Sequence, residues 1–146
     1  VQTCALPIWL EGRVLVHGPL APAELASVFA RVRFTVAPLA ETARNTWQGC
    51  CPVKIVESMA AGTPVLASDL AVCRELIQHG ENGWLATAGD RRAWALGLER
   101  LFGDGALRDR LAAAAFFSAR ENFCQANAHE ELNTVFRLAA GMGVTR

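Results

Sequence analysis

The amino-acid sequence predicts an α/β fold, in which a parallel sheet carries helices on both faces and a helical tail follows at the C-terminus. Two observations support this prediction. Short β-branched or apolar segments alternate with segments whose apolar residues recur at helical spacing, and most connections between them are short. In addition, PVLAS (residues 64–68) is apolar almost throughout, which is typical of a strand buried on both faces.

Four short strands are predicted in the first 90 residues. They are RVLVH, FTVAP, PVLAS and GWLA, at residues 13–17, 34–38, 64–68 and 83–86. The first is followed by Gly18 and Pro19, the second ends at its own proline, and the last follows the turn signal ENG.

Three helices are predicted between these strands. The first begins at Pro22 and repeats apolar residues at i, i+3, i+4 and i+7. The second covers residues 53–61, with Pro52 at its entry and Gly62 at its C-terminal stop. The third is short, at residues 72–78. Together with the strands, these helices describe a Rossmann-like parallel sheet with helices on both faces.

The remainder of the chain is predicted to form a helical C-terminal tail. Asp90 and Asp104 can each cap the N-terminus of a helix, because a carboxylate accepts hydrogen bonds from the first free N–H groups. A third tail helix has its apolar residues on one face, at Leu132, Val135, Phe136 and Ala139.

Composition excludes several classes of function. The chain has 146 residues, the size of one domain, and its 14 basic and 14 acidic residues give a formal net charge of +0. We therefore expect no binding to nucleic acid. No apolar run is long enough to span a bilayer. The five cysteines form no CxxC pair, and none has a histidine at metal-ligand spacing. This pattern is typical of reduced cysteines in the cytoplasm.

The N-terminal residues differ in character from the rest. VQTCALPI (residues 1–8) has neither periodicity nor turn signals, and it matches the translation of a common sequencing-adapter end. We therefore interpret residues 1–8 as a non-native segment. Residues 9–146 are interpreted as the domain itself, cut on its N-terminal side.

The stretch NTWQGCCPVKIVESMAAGTPV (residues 45–65) carries the most informative chemistry. A polar loop (residues 39–52) follows the second predicted strand, at the edge of a parallel sheet where ligands usually bind. A loop of this length without its own structure is usually functional or disordered. The helix that starts near Val53 presents free N–H groups suited to a phosphate, and Gly49 lets a ligand approach the backbone.

Glu57 lies about one turn inside this helix, at the border between its apolar and polar faces. A carboxylate there can accept two hydrogen bonds at once, which matches the adjacent hydroxyls of a ribose. Alternatively, Glu57 pairs with Lys54 at i, i+3 spacing on the helix surface. The residues alone leave both interpretations open. We interpret Cys50 and Cys51 as small loop residues, because adjacent cysteines rarely form an unstrained disulfide.

Several segments in a fixed order resemble a known family. GCCPVKIVESMAAGTPVLASDLAVCRELIQHGENGWL (residues 49–85) contains a P-x-K-x-x-E motif, an AAGTPV turn, and then ELI and ENG. The preceding VLVHGPL and ELASVFARVRFTVAPL fit the strand–helix–strand unit that comes before this motif. The whole resembles the C-terminal, donor-binding domain of retaining GT-B glycosyltransferases of family 4, the group 1 glycosyltransferases. The resemblance covers about residues 13–102, and it is specific because several motifs occur in the order that the family has.

The resemblance implies a function for the parent enzyme. It would transfer a sugar from a nucleoside-diphosphate donor to an acceptor hydroxyl with retained configuration, whereas the isolated fragment would be inactive. The resemblance also implies that Glu57 binds the donor ribose, and that Lys54 reaches a phosphate or solvent. The backbone that would face the donor sugar and phosphates belongs to Gly49, Cys50, Cys51, Pro52 and Val53.

Several departures from the family pattern are visible. Gly49 stands where the family's E-x(7)-E motif has its first glutamate, so we expect Gln48, Asn45 or backbone amides to orient the donor sugar. The family's Arg/Lys pair for the diphosphate and its G-x-G loop have no counterpart in this sequence, because both would lie upstream of Arg13. The family's N-terminal acceptor domain is missing too. We therefore expect the chain to be a C-terminal piece of a longer enzyme.

The resemblance further implies the cofactors and partners. No cofactor and no metal are expected, because the donor is itself a substrate and the sequence has no D-x-D pair. The expected partners are a nucleoside-diphosphate sugar, an unknown acceptor and the acceptor domain of the same chain, with peripheral membrane association of the parent. We interpret Glu75 as a structural residue that holds the loop near Ser68 and Asp69.

Two other interpretations remain. A non-catalytic nucleotide-binding or interaction module could use the same fold, and the glycine at position 49 keeps this alternative open. The related epimerase architecture is a third interpretation, but the order of AAGTPVLASDL and ENG fits the transferase better.

Overall fold

The computed structural model of the protein describes residues 13–124. In chain order, the elements of this part are α1 (Pro22–Phe29), β1 (Thr35–Ala37), α2 (Ala43–Thr46), α3 (Val53–Ala60), β2 (Val65–Ser68), α4 (Ala71–Arg74), β3 (Trp84–Ala86), α5 (Arg91–Gly103) and α6 (Gly105–Asn122).

The three strands form one parallel sheet in the order β1-β2-β3. Thr35 pairs with Val65, and Leu66 pairs with Trp84. All residues of the central strand β2 are buried, as predicted for a strand covered on both faces. The prediction of an α/β fold with a parallel sheet is thus confirmed.

Helices cover both faces of the sheet. Successive residues of a strand point to opposite faces, so Val65 and Ala67 join a core with helices α3, α4 and α6, whereas Leu66 joins a core with α5 and α6. Ile55 and Met59 of α3 are fully buried in the first core, and Leu101, Leu107 and Leu111 are buried in the second.

The helix termini follow the predicted signals. The Asp90 carboxylate accepts hydrogen bonds from the N–H groups of Arg92 and Ala93, and Asp104 accepts one from Leu107. Gly62 follows α3 with a φ of 66°, a left-handed conformation that glycine adopts without steric cost. The helical tail therefore forms as α5 and α6, while the predicted helix containing Leu132, Val135, Phe136 and Ala139 lies outside the described residues.

The prediction of a strand at residues 13–17 is wrong. These residues form neither helix nor strand, and Leu15 and Val16 are 80% and 74% exposed. Their β-branched composition favours an extended backbone, but a strand forms only where a neighbour accepts and donates hydrogen bonds. Within residues 13–124, no strand lies beside this segment. Pairing, and not intrinsic propensity, decides the structure here.

Candidate functional site

The loop after β1 has structure of its own, contrary to the prediction. It contains the short helix α2, which begins because the Thr42 side chain accepts a hydrogen bond from the N–H of Asn45. The Asn45 Nδ2 atom in turn donates to the carbonyl oxygen of Ala40 at 2.8 Å. These local bonds, typical of threonine and asparagine in turns, were not apparent from the periodicity of apolar residues. The loop is thereby held at the carboxyl end of β1.

A cavity of about 470 Å³ lies between this loop and the start of α3. Five of the eight predicted site residues line it, namely Cys50, Cys51, Pro52, Val53 and Lys54. The remaining lining residues are Leu39, Thr42, Arg44 and Asn45. The structure therefore brings the loop and the first turn of α3 together around one cavity, at the sheet edge where the sequence predicts ligand binding.

The cavity is positively charged. Arg44 and Lys54 line it, and no acidic side chain does. Within residues 13–124, neither of these two cations forms an ion pair. Sequence reasoning overlooked Arg44, because a single arginine in a polar loop is a weak signal until the fold places it beside Lys54.

Glu57 lies on α3 but not in the wall of this cavity. Its neighbours Ile55 and Met59 are fully buried, whereas Glu57 itself is exposed. The alternative interpretation, a surface ion pair with Lys54, is not realised, because no ion pair joins these two residues in the described part of the chain. The carboxylate of Glu57 is thus available to a ligand on the side of α3 that faces solvent.

Gln48 and Gly49 are exposed in the loop that precedes the cavity. Gly49 has a φ of 72°, and a Cβ added there would meet no atom within 4 Å. The position is therefore open, and its left-handed backbone favours glycine over the glutamate that the family motif has there. Among the eight predicted residues, Gln48, Gly49 and Glu57 lie outside the cavity lining.

The cysteines of the loop are free thiols. Cys50 is half-buried, Cys51 is exposed, and neither forms a disulfide. Cys73 on α4 is fully buried, and this burial raises the pKa of its thiol. The interpretation of Cys50 and Cys51 as small loop residues agrees with this geometry, since both contribute to the cavity wall.

Arg74, and not Glu75, holds the loop after β2. The Nε atom of Arg74 donates to Asp69 Oδ1 at 2.6 Å, and this hydrogen bond lowers the pKa of the Asp69 carboxyl. The N–H of Asp69 also donates to the carbonyl oxygen of Ala86 at 2.7 Å. The side chain of Glu75 is exposed and forms no hydrogen bond or ion pair within the described residues. The sequence-based role of Glu75 was therefore wrong by one position.

A larger cavity of about 630 Å³ lies at the same sheet edge, on the side of α5. It is lined mainly by apolar groups, including Pro38, Leu39, Trp94 and Leu98, and Glu41 and Arg91 also border it. It contains none of the eight predicted site residues. We regard the smaller cavity as the candidate site because its charge and its position at the start of α3 suit a phosphorylated ligand.

The described part of the chain offers neither a cluster of metal ligands nor a membrane-spanning helix. Within residues 13–124, no three His, Cys, Asp or Glu side chains come together as a group that could hold a metal ion. In the same part of the chain, no helix has the length and apolar character needed to cross a membrane.

The chain is similar to known glycosyltransferases. A model of the family described as "Glycosyl transferases group 1" matches residues 2–104. The D-inositol 3-phosphate glycosyltransferase of Corynebacterium diphtheriae is 31% identical over 134 residues, which are 92% of this chain and 30% of that enzyme.

Two solved structures share the fold. Sucrose-phosphate synthase from Thermosynechococcus elongatus superposes with a TM-score of 0.79 at 22% identity, over 92% of this chain and 32% of that protein. HepE from Anabaena, solved in complex with UDP-glucose, superposes with a TM-score of 0.73 at 24% identity, over 88% of this chain and 33% of that protein. The chain thus spans about a third of the length of each of these three proteins.

Proposed function

Because the chain belongs to the group 1 glycosyltransferases, we propose that it holds the sugar donor of a retaining glycosyltransferase of family 4. The donor is a nucleoside-diphosphate sugar, and the transferred group is a hexose. One observation carries this proposal: the outward-facing carboxylate of Glu57 lies on the same short helix whose first turn closes the cationic cavity. One helix thus offers a hydrogen-bond acceptor for the ribose hydroxyls and a site for the phosphates, which are the two polar parts of a nucleotide.

Each predicted residue has a role in this proposal. Glu57 accepts hydrogen bonds from the two ribose hydroxyls of the donor. The backbone from Gly49 to Val53 lies against the diphosphate and the sugar, and Lys54 faces the phosphates. Gln48 is exposed beside Gly49 and is available to orient the sugar, a role that the family assigns to the glutamate missing at that position.

Positioning and electrostatic stabilisation would supply the catalysis. In the transfer, the bond between the anomeric carbon and the diphosphate oxygen breaks. A new bond forms to the acceptor oxygen, and the proton of that hydroxyl passes to the leaving diphosphate. Negative charge grows on the leaving diphosphate, so cations fixed beside it stabilise the transition state more than the ground state. We propose that this requires no metal ion, in line with the absence of a D-x-D pair from the sequence.

The rest of the reaction would lie outside this chain. We propose that a separate N-terminal domain of the full-length protein binds the acceptor, and that this chain alone does not turn over. We propose a cytoplasmic location for the enzyme, which the free cysteines support, and peripheral membrane association, which the resemblance supports.

The proposal is tested by nucleotide binding to the purified chain. Calorimetric titration would compare UDP, GDP and ADP, of which UDP is chosen first because HepE was solved with UDP-glucose. We expect Glu57→Gln to weaken binding of the preferred nucleotide by about tenfold, as expected for loss of a charged hydrogen-bond acceptor. The matched control Glu99→Gln changes an exposed carboxylate on α5 and should have no effect.

Two outcomes would overturn this assignment: no nucleotide binds, or Glu57→Gln binds as tightly as the wild type. Catalysis itself is measured in the full-length protein, where Glu57→Ala should raise the donor KM or abolish transfer. Tight nucleotide binding without transfer or donor hydrolysis in the full-length protein would instead favour the non-catalytic module.

A further inference from the structure

We propose that Arg44 is a ligand-binding residue, which together with Lys54 binds the diphosphate of the donor inside the 470 Å³ cavity. This inference rests on the proposed function and names two side chains of this chain that bind the phosphates. It extends the site from the start of α3 to the short helix α2.

The charge of the cavity favours an anion. Two cationic side chains and no acidic ones line it, so the local formal charge is positive although the chain as a whole is neutral. Three arginines outside the cavity have partners within the protein. Arg74 pairs with Asp69 at 2.6 Å, and Arg100 with Asp104 at 3.4 Å. Arg108 donates to the carbonyl oxygen of Leu101 at 2.6 Å. Arg44 has no such partner among the described residues, so its donors are available to a ligand.

The backbone that carries Arg44 is held in place. On its N-terminal side, Thr42 caps α2 through the N–H of Asn45. On its C-terminal side, the Thr46 hydroxyl donates to the Thr42 carbonyl oxygen at 2.8 Å, and Asn45 donates to that of Ala40 at the same distance. The loop conformation therefore directs Arg44 into the cavity wall without the guanidinium itself forming the supporting bonds. A guanidinium can donate two parallel hydrogen bonds to a phosphate, whereas an ammonium acts as a point charge.

The arrangement of α3 explains why the anion would be a diphosphate next to a ribose. Lys54 and Glu57 are three residues apart on this helix, where side chains have Cβ atoms about 5–6 Å apart. Lys54 lines the cavity and Glu57 does not. The carboxylate is thus kept out of the compartment that receives the phosphates, yet it stays within one helical turn of it. In a nucleoside diphosphate, the ribose hydroxyls likewise lie next to the phosphates but form a separate polar group.

Binding of two probes separates this inference from the proposed function. The probes are inorganic pyrophosphate, which has no ribose, and UDP, or whichever nucleotide the chain prefers. Titrations would use the wild-type chain, Arg44→Gln, Arg44→Lys and Glu57→Gln, with Arg110→Gln as the control at an exposed arginine on α6. Arg44 is itself exposed, so its substitution should leave the circular dichroism spectrum and the melting temperature unchanged.

We expect Arg44→Gln to weaken both pyrophosphate and UDP by about tenfold, and Arg44→Lys to lie between it and the wild type. Glu57→Gln should weaken UDP alone, and Arg110→Gln should change neither probe. If pyrophosphate binds Arg44→Gln as tightly as the wild type, or does not bind the wild type at all, the role of Arg44 is refuted. The proposed function would survive that result provided that UDP binding remains sensitive to Glu57→Gln. Failure of UDP to bind the wild type would refute both.

Discussion

The side-chain oxygens of Ser58 on α3 and Thr35 on β1 lie 2.6 Å apart and connect the site helix to the sheet. Ser58 is fully buried, and its hydroxyl also donates to the carbonyl oxygen of Thr63 at 2.9 Å. Ser58 immediately follows Glu57 in the chain. Glu57 is about 100° away from Ser58 around the helix and is exposed, so the anchoring of Ser58 holds α3 with Glu57 on its solvent side.

Removal of this connection should destabilise the fold. Ser58→Ala leaves the Thr35 hydroxyl and the Thr63 carbonyl without their buried partner, and we expect a loss of about 1–3 kcal/mol in the free energy of unfolding. Urea denaturation measures this loss. Ser27→Ala is the control, because its hydroxyl bonds to Ala23 at an exposed position on α1 and should matter little. Equal stability of the two variants would contradict a positioning role for Ser58.

Close packing of α5 on the sheet depends on Gly97. A Cβ at this position would lie 3.0 Å from Leu66 Cδ1 and 3.2 Å from Trp84 Cδ1. Gly97→Val should therefore destabilise the protein by about 1–3 kcal/mol through overpacking. Ala95→Val, at an exposed position of the same helix, should cost only about 0.5 kcal/mol through lower helix propensity. Similar urea midpoints for the two variants would mean that α5 can shift away from the sheet.

The accessibility of the cysteines should report occupancy of the site. Cys51 is exposed and lines the cavity, so iodoacetamide should modify it rapidly, and saturating nucleotide should slow that reaction. Cys73 should react last, because it is buried and because burial raises the pKa of its thiol and so disfavours the reactive thiolate. Mass spectrometry of peptides resolves each site, with half-buried Cys124 as the internal reference outside the cavity. An unchanged Cys51 rate at saturating nucleotide would place the nucleotide elsewhere.

The Asp69–Arg74 pair should make stability depend on pH in the acidic range. Its hydrogen bond lowers the pKa of Asp69 in the folded protein below the unfolded value. The pair therefore contributes stability above the unfolded pKa, and this contribution is lost as the pH falls through the folded pKa. We expect the stability difference between wild type and Asp69→Asn to be constant near neutral pH and to shrink below about pH 4. In the Arg74→Gln background, the same substitution should lose most of this pH dependence in urea titrations.

Much of the fold was accessible from the sequence because the relevant signals are local. An apolar run predicted β2, and single carboxylates predicted the starts of α5 and α6. The predictions that depended on contacts with other segments were less accurate. Residues 13–17 have a composition that favours a strand, but no neighbouring strand pairs with them. Helix α2 begins through side-chain hydrogen bonds, which leave no periodic pattern in the sequence.

For the candidate site, too, some features were accessible from the sequence and others were not. By itself, the sequence determined the α/β class, the family and the loop-plus-helix segment that contains Cys50 to Glu57. Only the tertiary structure decided that Arg44 faces the same cavity as Lys54, that Glu57 lies outside it without an ion pair, and that Arg74 braces Asp69. The physical reason is the distance along the chain over which each signal acts. Caps, turns and burial patterns act within a few residues, whereas a cavity and its charge arise where distant segments meet at the edge of a sheet.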